Sequence, residues 1–253
     1  LFDALLNGID RVALGIRIDR KTNHLFIDEL TFTVPGTKLA ENLGQLQTAT
    51  TNFAGFYDSE SAMSTRASIP IPQLLIDVLQ NLINTGTEEL HAKIDSKFGG
   101  PDSGDAKTVK AWLATVVKVA SDTVQSGQLD AALSLTQGDE SPTFLFALKI
   151  ADGKALDKTI HEVVEQHAKT GTDDPDFKPQ LDVAQLGNVV IHSITTDDEN
   201  PFQTVYLGIG PEAVYIASGE NAPAMLRKAL ADSEAAAGQA VLPFEASIDA
   251  KNF

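Results

Sequence analysis

Cysteine is absent from the chain. Disulfides, thiolate metal sites and cysteine nucleophiles are excluded together. Positive charge is scarce: 19 Lys and Arg stand against 35 Asp and Glu, a formal net charge of −16. Such a surface repels nucleic-acid phosphates and anionic membranes, and no basic cluster offsets it. No apolar run approaches the roughly 20 residues that a spanning helix needs. Aromatic residues are few, at 6%, with Trp112 the single tryptophan. That scarcity argues against a sugar site, although paired carboxylates for glycoside chemistry meet only in space.

What is present is a well-patterned globular composition. Hydrophobic residues make up 43% of 253, enough for one large core or two smaller ones. The chain starts at Leu1, and "LFDALLNGIDRVALGI" reads as a short helix feeding a strand. "PFEASIDAKNF" reads as a strand leading into a further element. The expectation is a fragment of a longer precursor.

Alternation and β-branched content mark the strands. In "HLFIDELTFTV", Phe26, Leu30, Phe32 and Val34 share one side, interrupted only by Asp28. This predicts one buried face. "AALSLTQ" and "TFLFALKI" flank the turn-forming "GDESP", and "LDVAQL" and "VVIHSITT" flank Gly187-Asn188. Both read as hairpins, which implies antiparallel pairing.

Helical stripes recur at a period of about 3.6 residues. They are Leu39/Leu43/Leu46, Leu75/Val78/Leu79/Leu82, Val109/Trp112/Val116/Val119/Thr123 and Leu156/Ile160/Val163/His167. The third belongs to the longest expected helix, 107–126. The segments from Val12 and Val205 both open V-x-L-G-I, then give a turn, a second strand, a breaker and a helix. Shorter versions begin at Thr65 and Thr143. The fold expected is α+β: antiparallel sheet built from repeated β-hairpin–helix units, with helices mainly on one face. Two halves are expected, 1–98 and 107–253, with 96–106 as linker or loop.

"TFTVPGTKLAENL" is the nearest approach to a phosphate loop. A P-loop needs a second glycine and a lysine directly after it. Here the order is Gly36-Thr37-Lys38, and comparable corners recur at "IPIPQ", "IADGK" and "SGENAP". Thr37, Asp152 and Asn221 suit helix capping, so the stretch reads as a strand-to-helix corner.

"HEVVEQH" departs from the zincin motif, since the position four after His161 is Glu165 and the next histidine is His167. His161 and Glu165, one helical turn apart, are the candidate metal ligands. His167 extends the apolar stripe and reads as partly buried. His192 in its strand is expected to face solvent or a neighbouring strand. His24 begins a strand and His91 sits among polar helical neighbours. Thr172–Asp176 and Thr195–Asn200 are acidic, but neither has the EF-hand order, so both read as solvated turns. Ser218 follows a strand, yet Ile216 stands where a nucleophile elbow has glycine. No catalytic residue and no cofactor are expected.

"GNVVIHSIT", "VYLGIGPEAVYIASGENAPAMLRKAL" and "LTFTVPGTKLAENL" resemble segments of uncharacterised exported bacterial proteins of unknown function. The likeness covers Arg11–Leu46 and Leu186–Leu230. It implies export, periplasmic or secreted, and a repeated α+β fold, and it implies no chemistry. The functional expectation is a non-enzymatic cell-envelope module that binds a partner protein. Its alternatives are a carrier of an apolar small ligand held between sheet and helices, and a hydrolase with an unrecognised His/carboxylate site. The carrier reading predicts strands apolar on both faces, as "TFLFALKI" comes close to being, and a cavity of at least a few hundred Å³.

Overall fold

The computed structural model describes residues 7–21, 24–45, 49–138, 141–170, 178–195 and 203–249. Strands β1 (Ile9–Asp19) and β2 (His24–Thr33) form a two-stranded antiparallel ribbon, and helix α1 (Lys38–Gln45) follows. A 3-10 turn (Ala54–Phe56) precedes β3 (Met63–Pro70), α2 (Gln73–Lys97) and α3 (Gly104–Gln125). Then come β4 (Gln128–Thr136), β5 (Thr143–Lys149), α4 (Gly153–Thr170), β6 (Lys178–Leu186) and β7 (Val189–Thr195). The last described elements are β8 (Thr204–Gly210), β9 (Ala213–Ser218), α5 (Ala222–Ala235) and β10 (Phe244–Ile248).

Eight strands join in one antiparallel sheet, ordered β10-β3-β4-β5-β9-β8-β7-β6. The fold is therefore α+β, and both expected hairpins form, as β4–β5 and β6–β7. The sheet takes β3 from before residues 96–106 and its other strands from after them. Phe98–Ser103 is the turn of an α2–α3 hairpin, tied by Gln80 Nε2 donating to the Ser121 carbonyl at 2.8 Å.

Register assigns the two faces. Ala246, Thr65, Leu133, Phe146, Ile216, Leu207 and His192 form one row across seven strands. Successive side chains alternate, so Leu145, Ala147, Tyr215, Ala217 and Ile191 belong to the opposite face. There they pack with Phe53, Phe56 and α5 residues Leu226 and Ala229 in the main core. Phe56 stacks on Tyr215 at 5.4 Å, and Phe53 meets Tyr215 edge-on at 5.9 Å. Each buried phenyl group contributes about 1.5–3 kcal/mol. A Cβ on Gly55 would fall 2.2 Å from the Ala229 carbonyl oxygen, so only glycine lets the turn approach α5 this closely.

Four expectations need correction. The helix at 107–126 runs Gly104–Gln125, and at 22 residues it is shorter than α2 at 25. The α2 stripe is also rotated. Leu75, Val78 and Leu82 are exposed and of the expected stripe Leu79 is half-buried, while Ile76 is buried and Ile83 and Ile94 are half-buried. The helix rests against α3, which selects that neighbouring face. On β2 and its extension, Leu30, Phe32 and Val34 are 59%, 39% and 37% exposed. The ribbon lies outside the eight-stranded sheet, and the Arg11 guanidinium lies over the Phe32 ring, 4.2 Å from its centre. Finally, Asn221 precedes α5 without a side-chain capping bond. Thr37 and Asp152 do cap, accepting from the N–H groups of Ala40 (3.2 Å) and Ala155 (2.9 Å).

Candidate functional site: an apolar cavity and a histidine–aspartate cluster

Helix α4 starts where the β8–β9 turn permits. The Gly153 N–H donates to the Pro211 carbonyl at 2.8 Å. A Cβ at residue 153 would lie 1.8 Å from the Gly210 carbonyl oxygen. That abutment sets the height of α4 over the sheet. Its apolar stripe then faces a cavity of about 360 Å³ bounded by α2, α3, α4 and β6–β8. Ile94, Trp112, Leu113, Ile160, Val163 and Leu207 are among its walls. Leu90 and Val116 line it too and are 44% and 43% exposed, which marks the α2–α3 seam as its solvent side. Trp112 is thus half-buried against open space rather than packed solid.

His192 also lines this cavity, and its side chain is only 3% exposed. This corrects the expectation that it faces solvent or a neighbouring strand. It faces α4, where Asp157 Oδ1 lies 2.9 Å from its Nε2. Its Nδ1 accepts the Asp182 N–H at 3.2 Å. A ring nitrogen that accepts carries no proton, so the network assigns His192 the Nε2–H tautomer, donating to Asp157.

Asp182 reaches this place through an irregularity in β6. Gln180 pairs with Ser193 and Ala184 with Ile191. Leu181, Asp182 and Val183 therefore all stand opposite His192. Asp182 takes φ 54, the left-handed region, which aspartate tolerates better than most residues. Such bulges re-aim side chains. Here the bulge also presents the Asp182 carboxylate to His161, with Oδ2 3.1 Å from Nε2.

His161 Nδ1 lies 3.0 Å from the Asp157 carbonyl oxygen. Both ring nitrogens thus face acceptors. The Asp157 carbonyl first, and the Asp182 carboxylate second, hold the His161 imidazole above the ordinary histidine range. The two rings meet edge-to-face at 5.3 Å. Asp157, His161 and His192 offer ligand atoms within 4.8 Å of one another.

The structure thus brings His161 together with Asp157, Asp182 and His192. Glu165 instead lies 3.8 Å from Lys169 in an exposed pair. His167 is half-buried, as its stripe predicts. Ser218 is buried and donates to the Thr204 carbonyl at 2.9 Å, a structural role. Thr172–Asp176, the greater part of Thr195–Asn200 and the side chain of His24 lie outside the described residues. Asp157 and His192 form an acid–imidazole pair, but the second ring nitrogen already accepts the Asp182 N–H and so is not offered as a general base. Among the described residues, no serine or threonine hydroxyl bonds either histidine, and Ser193 belongs to the opposite sheet face.

Sequence reasoning missed Asp157 and Asp182. Asp157 and His161 are one turn apart on a helix, a spacing legible without a structure. The bulge also leaves a trace. Apolar residues run 179, 181, 183 and then 184, 186, a break in the period-2 phase.

Among the described residues, no helix is long and apolar enough to cross a membrane. No protein-family model matches the chain, and neither a curated protein nor a solved structure shows significant similarity to it.

Proposed function

We propose that the chain is a non-enzymatic binding protein that holds an apolar small ligand between its eight-stranded sheet and helices α2–α4. One observation carries this reading: the cavity of about 360 Å³ with almost wholly aliphatic and aromatic walls. That size is at the low end of small-molecule sites, which run roughly 300–1,000 Å³. Strands apolar on both faces support it. In β5, Leu145 and Ala147 are buried in the core, while Phe144, Phe146 and Leu148 form the other side and are half-buried.

The wider reading is an exported module of the cell envelope, resting on the resemblance of the β7–α5 and β2–α1 segments. Diverged repetition belongs to the same reading. Three hairpins are each followed by a helix: β1–β2–α1, β4–β5–α4 and β8–β9–α5.

Trp112 lines the cavity and is the sole tryptophan. Titration with a medium-chain fatty alcohol, followed by tryptophan emission, therefore tests the proposal directly. Saturable one-to-one quenching or blue shift is expected. A flat emission spectrum with no heat of binding overturns the carrier reading and leaves protein partners as the alternative, to be sought by pull-down.

A further inference from the structure

We propose that Asp157, His161 and His192 form a binding site for a divalent transition-metal ion of the zinc type, at the seam of α4 and β7. The inference does not depend on the cavity's ligand: of the three ligating residues only His192 reaches the cavity wall. Two imidazoles and one carboxylate make a donor set suited to zinc and its neighbours, and not to calcium or magnesium, which favour all-oxygen shells.

The spacing fits. A tetrahedral centre with arms of about 2.0–2.1 Å keeps its ligand atoms roughly 3.3 Å apart. Asp157 Oδ1 lies 2.9 Å from His192 Nε2 and 3.8 Å from His161 Nδ1. All three residues offer ligand atoms within 4.8 Å of one another, so a shared ion needs the two rings to close in around it. Those positions now share protons: His192 Nε2–H with the Asp157 carboxylate, and His161 Nδ1–H with the Asp157 carbonyl. A divalent ion displaces the proton on His161 Nδ1 to solvent and requires the His192 proton to leave Nε2 for the other ring nitrogen.

Asp182 supplies the outer shell. Its Oδ2 stays 3.1 Å from His161 Nε2, so that N–H keeps an acceptor while Nδ1 binds metal. Its Oδ1 stands 3.7 Å from His192 Nδ1. On binding, the His192 proton moves from Nε2 to Nδ1, the bond that Nδ1 now accepts from the Asp182 backbone N–H breaks, and the new Nδ1–H turns to this carboxylate. One aspartate orienting both ligating rings is the carboxylate–histidine–metal arrangement. Three protein ligands leave a fourth position for water.

The test uses tag-free, chelator-treated protein. Zn²⁺ is titrated in competition with a chromophoric chelator, and Co²⁺ reports geometry through its visible bands. One ion per chain and four-coordinate cobalt bands are expected. Asp182→Asn is expected to weaken binding about 10–100-fold, and His161→Ala by at least as much. Glu165→Ala is expected to leave it unchanged. His192→Ala risks the fold because the ring is buried, whereas His161 and Asp182 are partly exposed and keep the test decisive. Absence of saturable binding overturns the proposal, and so does binding that survives His161→Ala. Quenching of Trp112 by the fatty alcohol is expected to be independent of either result.

Discussion

The backbone N–H of Asp182 lies 3.2 Å from Nδ1 of His192, and that bond decides which nitrogen of the buried ring carries the proton. It exists because residue 182 adopts φ 54 inside a bulge. Asp182→Gly is expected to change stability by no more than about 1 kcal/mol, since relief of strain offsets the loss of an exposed ion pair. Asp182→Val places a β-branched residue at positive φ and is expected to cost roughly 2 kcal/mol or more. Urea denaturation separates the two. Equal midpoints would show that the left-handed backbone is not part of the native state.

Glycines at two helical positions are expected to respond with opposite signs. Gly86 in α2 has nothing near an added Cβ, so Gly86→Ala is expected to stabilise by about 0.5–1 kcal/mol. At Gly153 the same methyl meets the Gly210 carbonyl oxygen at 1.8 Å. Overlap there outweighs propensity, and Gly153→Ala is expected to lose roughly 3 kcal/mol. A Gly153→Ala variant as stable as the parent would contradict the seating of α4 on the β8–β9 turn.

Burial first, and the charge of Asp130 second, push the Tyr215 phenol up to about 12. A phenol with a raised folded pKa favours the neutral form in the fold. Its contribution to stability is therefore whole below the ordinary tyrosine value near 10. It falls away as pH rises towards 12. Difference titration of phenolate absorbance between the parent and Tyr215→Phe is expected to isolate one group ionising near 12. A parent–variant difference centred near 10 would mean that Tyr215 is not buried against Phe53 and Phe56.

The cavity gives a steric prediction. Ile160 lines it from α4, and Ile160→Phe fills part of the space. Affinity for an apolar probe is expected to fall at least about tenfold, with a stability change within about 1–3 kcal/mol. Unchanged affinity would place the probe elsewhere.

Much of the fold was legible in the chain. Gly187-Asn188 between two apolar runs reads as a hairpin, and Leu186 does pair with Val189 across it. Thr37 and Asp152 read as caps and are caps, because capping is a bond between near neighbours. Phe53 and Phe56 gave no periodic signal. They lie on a short turn, yet they are core, because α5 and β9 close over them.

The division has a physical basis. Periodicity and turn chemistry are local properties, so sequence alone determined the α+β class, the hairpins and the absence of thiol chemistry. Partnership is not local. His192 alternates like any strand residue, and only the placement of α4 over β7 turns it inward to Asp157. Asp182 reaches His161 only because a bulge opposes three residues to one. The cavity likewise depends on the gap left between helices seated at heights that distant contacts decide, such as Gly153 against Gly210.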